Sequence, residues 1–126
     1  MTRVLLVGLV PETVDFSDPT LPPGMTAEKI HAGLAVAMQQ MADRGWRGEN
    51  FMFHAESCAE ELKTRLAGET YDCIVVGAGV RLPPRNLRLL ETAINTIAAA
   101  APGTPIAFNT TPVDSADAAE RWLKKA

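Results

Sequence analysis

The sequence predicts a three-layer α/β/α domain around a four-stranded, all-parallel sheet, and three observations lead to that class. Strand-like apolar runs and amphipathic helix-like segments alternate strictly along the 126 residues, which implies parallel pairing through right-handed crossovers. The first and third runs, residues 3–10 (RVLLVGLV) and 71–76 (YDCIVV), are nearly continuous rather than alternating, as in strands covered on both faces. Helix stops fall between the segments, at Gly45, Gly68 and Pro102-Gly103. A strand order of 2-1-3-4 places the two most apolar strands in the middle and leaves strands two and four as edges. One domain, residues 1–126, is expected, because a chain of this length buries roughly two-thirds of its unfolded surface.

After the first strand comes a proline-rich connection, residues 11–25, with Pro11, Pro19, Pro22 and Pro23. Strand-to-helix loops usually run about two to six residues, so a longer one stiffened by proline suggests a lid, a binding loop or a flap that covers a sheet edge or an oligomer contact. Thr26 is placed to cap the first helix, whose residues Ile30, Leu34, Met38 and Met41 share a face. Strand two is expected over residues 50–55. Ser57 and Glu60 then have the spacing of a capping box, and helix two runs to about Ala67 with Leu62 and Leu66 inward. Strand three leads into Gly77-Ala78-Gly79-Val80-Arg81-Leu82-Pro83-Pro84. A long helix follows, carrying Leu87, Leu90, Ile94, Ile97 and Ala101 at spacings of three and four. Strand four is expected over residues 104–109, and Asp114 or Ser115 caps a last helix bearing Trp122 and Leu123. Order is expected throughout except near residues 11–25 and at the last few residues.

The composition, 47% hydrophobic and 21% charged, is that of an ordinary globular protein. A net charge of -3 with scattered Lys and Arg offers no basic stripe, so nucleic acid is not an expected partner. The apolar run at residues 4–10 is too short to span a membrane and no cleavage site follows it; a cytoplasmic protein without a membrane partner is expected. Cys58 and Cys73 are read as free thiols. Strand four is apolar enough to be hazardous as an open edge, which points to a homodimer or higher homo-oligomer.

In open parallel sheets ligands bind beyond the carboxyl ends of the strands, where the strand order reverses. The loops on that edge hold Glu12, Asp15 and Asp18, then His54 and Glu56, then Arg81, then Asn109, Thr110, Thr111 and Asp114, whereas the opposite edge carries mainly solvating charges and helix stops. Gly77, Ala78 and Gly79 form half of a dinucleotide fingerprint, small enough for an anion to approach the backbone; Leu82 stands where the third glycine belongs. The bland reading is a tight turn only. Arg81 is the expected anion-binding cation, against the alternative of a surface arginine paired with Glu12 or Asp15. His54, with Glu56 to orient it, is the candidate general base, while His31 lies mid-helix as a surface residue. Cys58 at a helix start is a candidate reactive thiolate, against the commoner role of apolar filler. Two histidines without a close carboxylate cluster argue against a metal site, and no cofactor is specified.

The alternation is similar to that of the flavodoxin and receiver class, but no acidic pair closes strand one, no Asp ends strand three and no Ser/Thr-rich phosphate loop follows strand one. Through VVGAGVRLPP and the ending FNTTPVDSADAAERWL, the chain resembles a group of short uncharacterised bacterial proteins with a Rossmann-like fold. That resemblance implies the fold and carries no activity. The residues favour a site for a small anionic metabolite or nucleotide-like ligand, with Gly77, Ala78, Gly79 and Arg81 holding the anion, Asn109, Thr110 and Asp15 around it, and His54 as base if there is turnover. The competing expectation is a non-catalytic interaction module that uses the proline-rich loop and the edge strand.

Overall fold

The computed structural model describes residues 1–123. It has a four-stranded parallel sheet in the order β2-β1-β3-β4, with β1 at Arg3–Leu9, β2 at Arg47–Phe53, β3 at Cys73–Val76 and β4 at Ile106–Phe108. The helices are α1 (Ala27–Asp43), α2 (Cys58–Leu66), the single turn α3 (Ala78–Arg81), α4 (Leu87–Ala100) and α5 (Ser115–Glu120). The expectation for the last few residues lies outside the described residues.

Side-chain alternation on the central strands divides the core into two layers. Leu5, Val7, Ile74 and Val76 point to one face, where they meet Leu62 and Leu66 of α2 and Ala93 and Ile97 of α4. Val4, Leu6, Cys73 and Val75 point to the other, against Leu34, Ala37 and Met41 of α1 and Ala116 and Ala119 of α5. This double coverage is the physical reason the central strands read as continuous apolar runs. Cys58 belongs to the first layer and Cys73 to the second, and both are free and buried.

Local chemistry accounts for both ends of α1 and the end of α2. The Thr26 hydroxyl accepts from the Lys29 amide at 3.2 Å, and Gly45 and Gly68 follow α1 and α2 at φ of 78° and 72°, where a side chain is strained. Gly48 has a different role. A Cβ there would sit 2.7 Å from Met41 Sδ and 3.0 Å from Met41 Cβ, so its hydrogen lets α1 close down on β2.

Several expected boundaries are corrected. β2 begins at Arg47 rather than residue 50, because its polar opening Arg47-Gly48-Glu49 pairs in register with Arg3-Val4-Leu5; an edge strand tolerates polar residues that hide it from an apolar-run search. β4 is only three residues long, flanked by Pro105, and the Phe108 carbonyl accepts from Arg121 at 3.1 Å, so the edge is blunter than its apolar sequence suggests. The Ser57–Glu60 capping box does not form; the Ser57 hydroxyl donates to Glu61 at 2.5 Å instead. The glycine turn after β3 winds into α3 and a 3-10 turn at Pro84–Asn86 before α4 begins. Leu87 is 61% exposed, since α4 buries Ala93, Thr96 and Ile97 while Leu87 sits in its first turn. α5 ends at Glu120, leaving Trp122 in the following turn and 57% exposed. Among the described residues no helix is long and apolar enough to cross a membrane.

Candidate functional site

β1 and β3 lie side by side, but the chain leaving β1 goes to α1 on one face and the chain leaving β3 goes through α3 to α4 on the other. A crevice opens where they part. The Gly77 amide donates to the Val7 carbonyl at 2.9 Å, and a Cβ at Gly77 would come within 3.4 Å of that oxygen, which is why a small residue stands where the two strand ends run together. The crevice holds a narrow pocket of about 80 Å³. Residues 6–9 of β1, Ile30 and Leu34 of α1, Met52 of β2 and the Gly77–Gly79 turn line it, together with Leu82 and the Asn109–Pro112 segment. Its remaining lining, Val14, Leu21, Pro22 and Met25, comes from the connection between β1 and α1, here called the strap. A second depression of about 250 Å³ adjoins it through Leu9, Val14 and Gly79 and is more polar, lined by Thr13, Asp15, Glu56, Arg85 and Asn86.

The structure distributes the sequence-predicted residues unevenly. Gly77, Ala78, Gly79, Asn109 and Thr110 all line the pocket. Asn109 is 2% exposed and both ends of its amide are engaged: Oδ1 accepts from the Ala78 amide at 2.8 Å, and one Nδ2 hydrogen donates to the Ser115 hydroxyl at 2.9 Å. Ser115 in turn donates to the Pro112 carbonyl at 2.7 Å. Asn109 therefore clamps the start of α3 to the start of α5. The Thr110 hydroxyl and the amides of Thr110 and Thr111 donate to Asp114. Burial pushes the Asp114 carboxyl up, but these donors outweigh it and hold the group below its ordinary range. The polar atoms of the β4 loop thus shape the pocket more than they offer themselves to a ligand.

Arg81 lines neither depression. Its guanidinium donates to the Asn109 carbonyl at 2.9 Å and lies over the Phe108 ring at 5.9 Å, with Nε buried and without a partner. Among the described residues it has no carboxylate partner, because Glu12 pairs with His31 and Asp15 with Arg85, at 2.7 and 2.6 Å. Asp15 stands at the polar depression with its pKa lowered to about 2 by the Ser17 hydroxyl and amide and by Arg85. The cation that lines this depression is Arg85, and Asn86 beside it donates to the Gly79 carbonyl at 3.0 Å.

His54 is exposed at the end of β2 and lines neither depression. Its carboxylate partner is Glu61 rather than Glu56: Nδ1 lies 3.3 Å from Glu61 Oε2, and the His54 amide donates to the same oxygen at 3.0 Å. With Ser57 donating as well, Glu61 is held below the ordinary carboxylate range. Glu61 sits one helical turn along α2, a separation that a search for neighbours within two residues misses. Cys58 does not have the character of a reactive thiolate: burial, reinforced by Glu61, pushes its pKa up to about 11, against any lowering by its place at a helix start. The opposite edge of the sheet is also richer than expected. Glu49 accepts from Arg3 at 2.9 Å, from Arg65 at 2.8 Å and from the Tyr71 hydroxyl at 3.3 Å, forming a half-buried network that ties β1, β2 and α2 together. Among the described residues no group of three or more His, Cys, Asp or Glu is arranged to hold a metal ion.

No protein-family model matches the chain, and no curated protein matches it significantly in sequence.

Proposed function

We propose that the protein binds a small molecule at the carboxyl edge of its sheet, with an apolar body in the switch-point pocket and a polar end in the adjoining depression. The observation that carries this reading is the pocket itself, an apolar space at the place where open α/β sheets hold ligands, with a polar recess adjoining it across Leu9, Val14 and Gly79. By the measure of about 10–15 Å³ for each water, the pocket has room for a ring or a short chain. A ligand as large as a nucleotide must use both depressions.

The polar recess contains one guanidinium, Arg85, beside the carboxylates of Asp15 and Glu56. That balance suits a neutral hydroxylated end and opposes a polyphosphate; a single negative charge has to displace Asp15 from Arg85, 2.6 Å away. A thermal-shift screen of nucleotides, phosphosugars, small carboxylates and apolar ring compounds tests the reading. A ligand at about 100 times its Kd stabilises by about 2.7 kcal/mol, and the gain should vanish in Gly79→Leu, which fills the pocket from a position where a Cβ meets nothing within 4 Å. For a ligand with one negative charge, Arg85→Ala should reduce the gain while Arg81→Ala and His54→Ala leave it unchanged. A ligand whose effect survives Gly79→Leu refutes the assignment. Pairing of two copies through the β4 edge is a separate proposal, supported by the place of β4 at the sheet margin; a monomer mass by light scattering at micromolar concentration contradicts it.

A further inference from the structure

The strap is organised as a unit apart from the body it covers. Its backbone amides bond within it, Asp18 to the Asp15 carbonyl, Leu21 to Asp18 and Met25 to Pro22, at 3.2–3.3 Å. Asp15 and Asp18 each close a further turn on the amide and hydroxyl two residues ahead. Side chains make its polar attachments to the rest of the molecule. Glu12 pairs with His31 on α1, Asp15 pairs with Arg85 before α4, and Lys29 Nζ donates to the Gly24 carbonyl at 2.8 Å. All three lie in contact with solvent.

Beneath the strap there is unfilled space. Interiors normally pack to crystal-like density, so a flap with a purely structural role would seat Val14, Leu21, Pro22 and Met25 against the crevice; here those side chains bound a pocket. Gly24, whose φ of 74° only glycine adopts freely, lies near the end of the strap, a suitable pivot two residues before the Thr26 cap.

We propose that residues 14–23 form a lid over the switch-point pocket, pivoting between the Pro11–Thr13 turn and Gly24 and latched by the Asp15–Arg85 pair. The lid rests on the reading that the pocket takes a ligand, and it explains how a ligand larger than the pocket beneath the strap enters. Exposed ion pairs are weak and screened by salt, which suits a latch that opens often without unfolding the domain.

Thiol labelling of Gly8→Cys tests this without any ligand. A Cβ at Gly8 meets only Met52, at 3.6 Å from Sδ and 3.9 Å from Cε, so a thiol there lies in the pocket at ordinary contact distance. The native Cys58 and Cys73, 2% and 0% exposed, serve as internal reporters of global unfolding. With a small neutral thiol reagent and peptide mass spectrometry, residue 8 should label faster than both native cysteines. Arg85→Ala should raise that rate by about 1.4- to 5-fold, the worth of an exposed pair, and raised salt should do the same. Labelling of residue 8 at the rate of Cys58 and Cys73, or a rate unmoved by Arg85→Ala and by salt, overturns the lid. If Gly8→Cys does not fold, Gly79→Cys offers a second pocket thiol with no contact within 4 Å. Fast, latch-dependent labelling with no hit in the ligand screen would sink the binding reading and leave the lid; ligand binding with labelling only through unfolding would do the reverse.

Discussion

Replacing Asn109 by Ala removes the clamp that joins the β4 loop to the start of α3. Two hydrogen bonds are lost, from the Ala78 amide at 2.8 Å and to the Ser115 hydroxyl at 2.9 Å, at a residue 2% exposed. A neutral hydrogen bond contributes about 1 kcal/mol net, and a buried donor left without an acceptor costs about 1–3 kcal/mol, so the loss should be about 2–4 kcal/mol. With an unfolding entropy of about 2.1 cal/mol/K per residue, a chain of 126 residues should lose roughly 8–15 °C in Tm. Urea unfolding monitored by far-UV circular dichroism measures it, and the m-value should stay constant. Asn109→Asp keeps an acceptor for the Ala78 amide and should retain about half of the stability. A change in the urea midpoint equivalent to less than about 0.5 kcal/mol for Asn109→Ala, well below the worth of one such bond, would refute the clamp.

Alkali should destabilise the fold through its two thiols, whose folded pKa values are raised from 9.0 to about 11, in both cases chiefly by burial. The unfolded chain releases these protons first, so stability is fully present below pH 9 and falls between about 9 and 11; unfolding midpoints across that window check it, and Cys58→Ala should flatten the decline. Asp15 has the opposite sign: its pKa is lowered from 3.8 to about 2, so the turn it holds is intact above about pH 4 and loosens as pH falls toward 2. The chemical shift of the Ser17 amide should titrate with a midpoint near 2, and a midpoint at the ordinary carboxylate value contradicts the assignment. Gly48→Ala forces a methyl group against Met41 and should cost about 1–3 kcal/mol in chemical unfolding, whereas Gly79→Ala, a helical position with open space for the methyl group, should be neutral or stabilise by up to about 1 kcal/mol in the same assay.

The layer order and strand order were legible because they follow from the two continuous apolar runs, which only a doubly covered sheet accommodates. The carboxyl-edge location was legible for the same reason, since it follows from the order of strands. The side-chain assignments depend on distances the sequence does not carry. Arg81 is four residues from Arg85, and both follow the same strand, yet only Arg85 reaches the polar depression while Arg81 turns to the Asn109 carbonyl and the Phe108 ring. The partner of His54 is seven residues away at Glu61, in the first turn of α2, and the helix register of α2 had to be known to see it. β2 was placed too late because its first residues are polar, an opening explained only by the Arg3–Glu49–Arg65 network. The apolar side of the strap was hidden among prolines and acidic residues, with no periodicity to reveal that Val14, Leu21 and Met25 face one space.

The most direct test of the account is an amide chemical-shift map of the wild-type protein titrated with the strongest ligand from the thermal screen. The account predicts that the perturbed amides cluster at Gly8, Gly79 and Thr110 and along the strap from Val14 to Met25, with His54 and the Glu49 network unmoved. Perturbations centred on Glu49, Arg65 and Tyr71, or on His54 and Glu61, with the strap silent, would contradict it.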